Sequence, residues 1–376
     1  MKDRIRVLVV DDSALMRKLI PLILERDPEI EVVGTAMDGA FALKKIAELQ
    51  PDVVTLDLEM PRMDGIETLR TIMRNVPLPV IVFSTHSKEG AYSTSKALAL
   101  GAIDFVAKPK DAAAGNLEPV AFQLAEKIKV AKRAGGPKAL PKLEAESPIP
   151  QKKRTHAAMP PSRIIAIGIS TGGPNALQYI LSQIPADFPA SFVIVQHMPE
   201  GFTDMFARRL DECCPLDVQE AKSGDLLIAG RVLICPGNRH MMVRRMPRGE
   251  MAVLSDGPPI NGHRPSVDVL FHSVAQEFAL TAVGVLMTGM GDDGAEGLGA
   301  IKSAGGMTIA QSEETCVVGG MPRAAITKGY VNKIVALDNM AAYLVSQYGA
   351  QHPGEKKDAS EKNEKNEKVP VTTPRA

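Results

Sequence analysis

The stretch RVLVVDDSALMRK, residues 6–18, runs a short β-branched strand into two adjacent carboxylates and then into a helical period. A strand with no polar alternation is buried on both faces, the mark of a parallel sheet covered by helices. The same unit recurs along the first third of the chain. Strand-like runs occupy 31–36, 52–57, 79–84 and 104–108. Helical periods run over Ala14–Arg26, Gly39–Leu49, Gly65–Arg74, Tyr92–Leu100 and Leu117–Lys132. Five βα units make one complete α/β domain, expected over residues 1–125.

Residues 133–161 are rich in Pro and Lys and lack an apolar period, so a linker is expected over 126–161. A second α/β rhythm fills 162–350. It has strands at IIAIGI (164–169), FVIVQH (192–197), 282–289, 306–311 and 332–337. Helices are expected from Asn175 onward and over Phe202–Glu212, Val267–Phe278 and 338–348, with an antiparallel hairpin between Leu226 and Leu254. The fold class is thus a (βα)5 domain followed by a doubly wound, mostly parallel α/β domain. The tail 351–376 is charged, poor in apolar residues and expected to be disordered.

Length and composition agree with two domains. The 376 residues can bury two cores, and 45% hydrophobic with 23% charged residues is ordinary for a globular protein. A net charge of zero and the lack of a basic helix-turn-helix near the C-terminus argue against nucleic acid as partner. No signal-peptide shape and no long apolar run occur, so a cytoplasmic protein, not inserted in a membrane, is expected. Cys213, Cys214, Cys235 and Cys316 lack zinc or disulfide spacing and read as structural thiols.

Ligands of parallel sheets gather at the carboxyl ends of the strands. Asp11 and Asp12 follow the first strand, Asp57 ends the third, Ser84 the fourth and Lys108 the fifth, followed by Pro109. Taken singly, each is more often a cap or a solvated loop residue. Together, the crowded carboxylates call for a hard cation such as Mg²⁺. A phosphoryl group on Asp57 would then find Lys108 for its charge and Ser84 for a hydrogen bond. The segments VVDDSALMRK, VVTLDLEMPRMDGIE, VFSTHS and GAIDFVAKP, which carry these residues, resemble the receiver domain of two-component response regulators over roughly 4–125. The resemblance implies that a histidine kinase phosphorylates Asp57. It also implies that Asp11, Asp12, Asp57 and the Glu59 backbone carbonyl hold Mg²⁺, and that Ser84 and Phe105 switch.

In the second domain, GISTG (168–172) fits G-x-S-x-G, a strand-to-helix elbow that exposes a serine, here Ser170. The motif alone is a common accident, and a phosphate loop or a plain turn competes with it. His197 ends the next strand and supplies a base on the same edge. A carboxylate to fix its tautomer comes from GMGDDG, where spacing does not choose between Asp292 and Asp293. The order Ser, His, Asp excludes the α/β-hydrolases.

IGISTGGPNAL, VQHMPEGFT, LICPGNRHM, GHRPSVDVLF, TGMGDDGAEG and AQSEETCVVGGMPRAAI resemble the catalytic domain of the bacterial chemotaxis protein-glutamate methylesterases over 163–348. A receiver in front is that family's architecture. The resemblance selects Asp293 and implies oxyanion support from Thr171 and the Met290 amide. His263 and Arg264 would line or brace the cleft, or pin its loop. It further implies hydrolysis of receptor glutamyl methyl esters and deamidation of receptor glutamines, with no cofactor for the ester step. Expected partners are methylated chemoreceptor cytoplasmic helices and the pathway's histidine kinase, for a monomer working peripherally at receptor arrays. A non-catalytic, phosphorylation-dependent docking regulator is the competing expectation.

Overall fold

The structure, a computed structural model, describes residues 4–85, 87–108, 118–135 and 159–349. Pro109, residues 136–158 of the expected linker and the tail 351–376 lie outside the described residues. The first domain comprises β1 (Ile5–Val10), α1 (Ala14–Leu24), β2 (Ile30–Ala36), α2 (Gly39–Leu49), β3 (Val53–Leu56), α3 (Gly65–Asn75), β4 (Val80–Ser84), α4 (Lys88–Ala99), β5 (Asp104–Ala107) and α5 (Glu118–Ala134). Its five strands are parallel in the order β2-β1-β3-β4-β5. β3 is buried at every position because helices cover both faces.

The second domain follows as β6 (Arg163–Ile169), α6 (Gly173–Leu181), β7 (Ala190–Gln196), α7 (Phe202–Cys213), β8 (Asp217–Glu220), β9 (Arg231–Ile234), β10 (His240–Met246), β11 (Gly249–Ser255) and α8 (Val267–Phe278). It ends with β12 (Ala282–Leu286), α9 (Ala295–Ser303), β13 (Met307–Gln311), α10 (Gly320–Thr327), β14 (Lys333–Val335) and α11 (Leu337–Tyr348). Seven parallel strands lie in the order β14-β13-β12-β6-β7-β9-β8, and β10-β11 form a separate antiparallel hairpin. Strand order reverses beside β6, so the carboxyl ends of β6, β7 and β12 surround a crevice, as those of β1 and β3 do in the first domain.

Alternation along the strands divides the second domain into two layers. Ile165, Ile167 and Ile169 of β6 point to the layer of α6, α7 and α11, while Ile164 and Ala166 point to the layer of α8, α9, α10 and the hairpin. The first domain docks on the α6–α7 layer, sharing one apolar cluster with it. Phe105 meets Phe202 with ring centroids 4.6 Å apart. Asn175 donates from Nδ2 to the Ala102 carbonyl at 3.3 Å.

Three expected boundaries shift. Helix α5 continues to Ala134, two residues past the helical period read to Lys132, so the boundary placed at 125 falls inside the first domain's last helix. Ile128 and Ala131 sit in its core, and Lys132 reaches Asp52 at 2.6 Å. Only 240–255 forms the hairpin, because Arg231–Ile234 leaves the expected hairpin region to pair in parallel with β7 and β8. Helix α4 starts at Lys88 instead of Tyr92, since the Ser87 side chain accepts from the Gly90 amide at 2.8 Å and caps it four residues earlier.

Candidate active site

The crevice of the first domain gathers Asp11, Asp12 and Asp57, each offering an oxygen within 4.8 Å of the others. Lys108 Nζ lies 2.8 Å from both Asp57 Oδ2 and Asp11 Oδ2. Burial pushes the Asp57 carboxyl up to about 6, although Lys108 opposes the shift; Asp11 reinforces it. Burial alone would lower the Lys108 ammonium, but Asp57 and Asp11 together raise it. A buried, crowded, all-oxygen donor set of this kind suits a hard divalent cation. The Glu59 amide donates to Asp57 Oδ1 at 3.3 Å, which brings its backbone to the rim. Ser84 Oγ donates to the Gly90 carbonyl at 3.1 Å and so faces α4. Phe105 is buried against Phe202, with the Lys127 ammonium 5.5 Å from its ring.

In the second domain, Ser170 follows β6 in a turn closed by Gly173 N–H donating to the Ser170 carbonyl at 2.8 Å. Gly172 makes that turn possible, because its φ of 78° lies in the left-handed region. Gly289 lets the β12 loop approach the serine: a Cβ there would lie 2.8 Å from Ser170 Cβ. Thr171 is buried, its carbonyl accepting from Thr288 Oγ1 at 2.9 Å, and Met290 follows Gly289 on the exposed side. Thus Thr171 and Met290 both flank Ser170.

His197 follows β7, and its backbone N–H bonds the Ile169 carbonyl at 3.0 Å. Nε2 lies 2.8 Å from Asp293 Oδ2, while Nδ1 is buried without a hydrogen-bond partner. Asp293 holds the ring proton on Nε2 and leaves the Nδ1 lone pair to accept one. Asp293 itself is buried at the N-terminus of α8, accepting from Ser266 Oγ at 2.8 Å, Val267 N at 2.7 Å and Asp268 N at 3.2 Å. Burial would raise its carboxyl, but His197 and these donors outweigh it and hold it at about 2. Asp292 is exposed to solvent.

His263 stacks on His197, ring centroids 4.1 Å apart and nearly parallel. Burial, then the neighbouring His197, lower its imidazole against the pull of Asp293 and Asp292. Arg264 donates from Nη2 to Asn238 Oδ1 at 2.6 Å and from Nη1 to the Gly257 carbonyl at 3.1 Å, bracing the loop before α8. Two supporting residues escaped the sequence reading. Ser266 both caps α8 and donates to Asp293, and its only sequence signal is a serine just ahead of a helical period. Gln196 is buried, and its Nε2 bonds the carbonyls of Ser170 at 3.0 Å and His197 at 3.2 Å. An amide at the end of the apolar run FVIV was its one signal.

A family model described as CheB methylesterase matches residues 165–344, and one described as response regulator receiver domain matches 7–115. The protein-glutamate methylesterase/protein-glutamine glutaminase 2 of Koribacter versatilis is 60% identical over 354 residues, spanning 92% of this chain and 97% of that protein. The protein-glutamate methylesterase/protein-glutamine glutaminase of Symbiobacterium thermophilum is 46% identical over 356 residues, spanning 92% and 97%. A crystal structure of the Thermotoga maritima CheB methylesterase catalytic domain aligns with TM-score 0.48 and 38% identity, over 49% of this chain and 98% of that one. The chain belongs to the protein-glutamate methylesterase/protein-glutamine glutaminase family, with a receiver domain joined to a CheB methylesterase domain.

Proposed function

We propose that the protein hydrolyses γ-glutamyl methyl esters on chemoreceptor helices, and deamidates receptor glutamines, under control of phosphorylation at Asp57. The observation that carries this reading is the His197–Asp293 pair at 2.8 Å, with a base nitrogen left unpartnered at the strand end beside Ser170. Ser170 Oγ attacks the ester carbonyl carbon as His197 Nδ1 takes its proton. The oxyanion is met by donors around Thr171 and the Met290 amide, each worth roughly 3–4 kcal/mol in serine hydrolases. Collapse breaks the carbon–methoxy bond, and His197 delivers the proton to leave methanol. Water then attacks the acyl-serine, His197 takes a proton from it and returns it to Ser170, and the receptor glutamate is released. With a glutamine the same steps expel ammonia.

Asp11, Asp12, Asp57 and the Glu59 carbonyl would hold Mg²⁺, which when bound offsets the charge of phosphoryl oxygens. Lys108 pairs with a phosphoryl oxygen, and Ser84 turns from Gly90 toward it. Phe105 follows that movement, which loosens its packing on Phe202, five residues beyond His197. The same contact layer carries α6, the helix that Ser170 leads into, so unphosphorylated receiver and cleft are coupled through both helices. Among the described residues no helix is long and apolar enough to cross a membrane. In this role the protein acts at the cytoplasmic face of receptor arrays, with the pathway's histidine kinase as phosphodonor.

The test is methanol release from membranes bearing methylated receptors, with and without a small-molecule phosphodonor. Ser170→Ala should lower the rate by roughly 10⁴-fold or more. Equal release by wild type and Ser170→Ala would remove the nucleophile. No release by the wild type in either condition would leave a docking regulator instead of an enzyme.

A further inference from the structure

A groove of about 510 Å³ opens on the α8 side of the cleft and takes no part in the chemistry above. Its floor is one face of α8, where Val269, His272, Ser273 and Gln276 stand at i, i+3, i+4 and i+7. That row extends about 10 Å, two turns of helix. Met242 of β10 forms one wall and Ile260, 40% exposed, another.

Two residues of the groove lining, Ile260 and Asp268, connect through their backbones to the catalytic site, whose own side chains lie outside the lining. Ile260 and His263 exchange backbone hydrogen bonds at 2.9 and 3.0 Å, and His263 is the ring stacked on His197. Asp268, in the groove lining, has its amide on Asp293. The carboxylates of the lining have partners of their own. Asp268 accepts from Asn261 at 3.3 Å and Gly297 at 2.7 Å, and Glu296 pairs with Lys328 at 2.6 Å. Ser273 Oγ accepts from Val243 N and donates to the Leu270 carbonyl, so what remains on offer is apolar surface from Met242, Ile260 and Val269, with the His272 imidazole and the Gln276 amide at the exposed edge. Such a trough suits the apolar ridge of a helix better than a charged ligand.

On the reading of the substrate as a glutamyl ester on a receptor helix, we infer that this groove holds the turns of that helix next to the modified residue. The groove is built from β10, the loop before α8, α8 and α9, all on the layer opposite α6 and α7. The receiver docks on α6 and α7 and leaves the groove uncovered. Unphosphorylated protein therefore engages the receptor helix here, and phosphorylation acts on turnover more than on docking.

The test uses full-length protein, membranes carrying methylated chemoreceptors, and p-nitrophenyl acetate as a small ester that needs no helix. Ile260→Asp and, separately, Val269→Asp should raise KM for receptor membranes at least fivefold and leave small-ester hydrolysis within twofold of wild type. Val269 lies in the first turn of α8, where an aspartate is compatible with the helix, and the small-ester rate reports intact folding. In parallel, Ser170→Ala protein should co-sediment with receptor membranes without phosphodonor, and should lose that binding when Ile260→Asp is added. An unchanged KM alongside normal turnover, or co-sedimentation only with phosphodonor, overturns the groove while sparing the esterase reading. Absence of hydrolysis on both substrates by the wild type overturns both.

Discussion

Asp292 and Asp293 are neighbours of identical chemistry, yet one is exposed and the other accepts hydrogen bonds from His197 and three groups at the start of α8. Nothing local in GMGDDG separates them, because the discriminating donors lie 25 to 27 residues earlier in the chain. Asp293→Asn should cut receptor-ester turnover by about 10³-fold or more, whereas Asp292→Asn should stay within about threefold. The reverse ranking in a methanol-release assay would reassign the carboxylate. The depressed carboxyl also predicts a pH effect. A folded value of about 2 against an ordinary 3.8 means that Asp293 stabilises the fold above pH ~4 and loses that contribution as pH falls through about 2.

Asp57 has the opposite sign. Its carboxyl is raised to about 6, so ionisation opposes folding, and stability falls as pH rises from about 4 to about 6. In chelator, Asp57→Asn should melt higher than wild type at pH 7 and equal it at pH 4. Equal melting at both values would mean that the crevice is not strained by charge. Gln196 makes a third residue-scale case. Gln196→Glu keeps the shape but sets a carboxylate against two carbonyl oxygens, and should lower kcat about tenfold with KM unchanged. A parallel rise in KM would point to general unfolding of the cleft.

At the scale of elements, the strands were legible because burial on both faces leaves unbroken β-branched runs such as RVLVV and IIAIGI. Short edge pieces were not. DVQE of β8 has one buried residue in four, and nothing in such a fragment distinguishes a strand from a loop until β9 pairs with it. The domain boundary at 125 was set early for a related reason: the helical period was legible to Lys132, but the last nine residues of α5 are mostly Lys, Ala and Val, and their core role depends on packing against the strands and α1. A receiver fragment ending at residue 125 should be less stable than one ending at 135, by about 3 kcal/mol from losing Ile128, Val130 and the ion pairs of Lys129 and Lys132. Urea midpoints of the two fragments decide this, and coincident transitions would return 126–134 to the linker.

For the whole molecule, the decisive feature is which face of the catalytic sheet the receiver covers. Its α4 and β5 side packs on α6 and α7, the helices that follow the Ser170 and His197 turns, so Phe105 lies against the scaffold that carries Ser170 and His197. Phe105→Ala in the full chain should raise methanol release without phosphodonor by about fivefold and blunt further stimulation. A basal rate unchanged from wild type would break the link between Phe105 packing and the cleft. The sequence by itself determined two parallel α/β domains and the set of side chains at their strand ends, because strand burial and the strand-to-helix turn are local properties of ten or so residues. It also carried the family's motifs. Tertiary structure alone decided that His197 meets Asp293 through Nε2, that Ser266 and Gln196 support the site, and that the receiver covers one layer and leaves the α8 groove open. These depend on contacts between residues far apart in the chain, whose geometry exists only once the sheets have closed and the domains have docked.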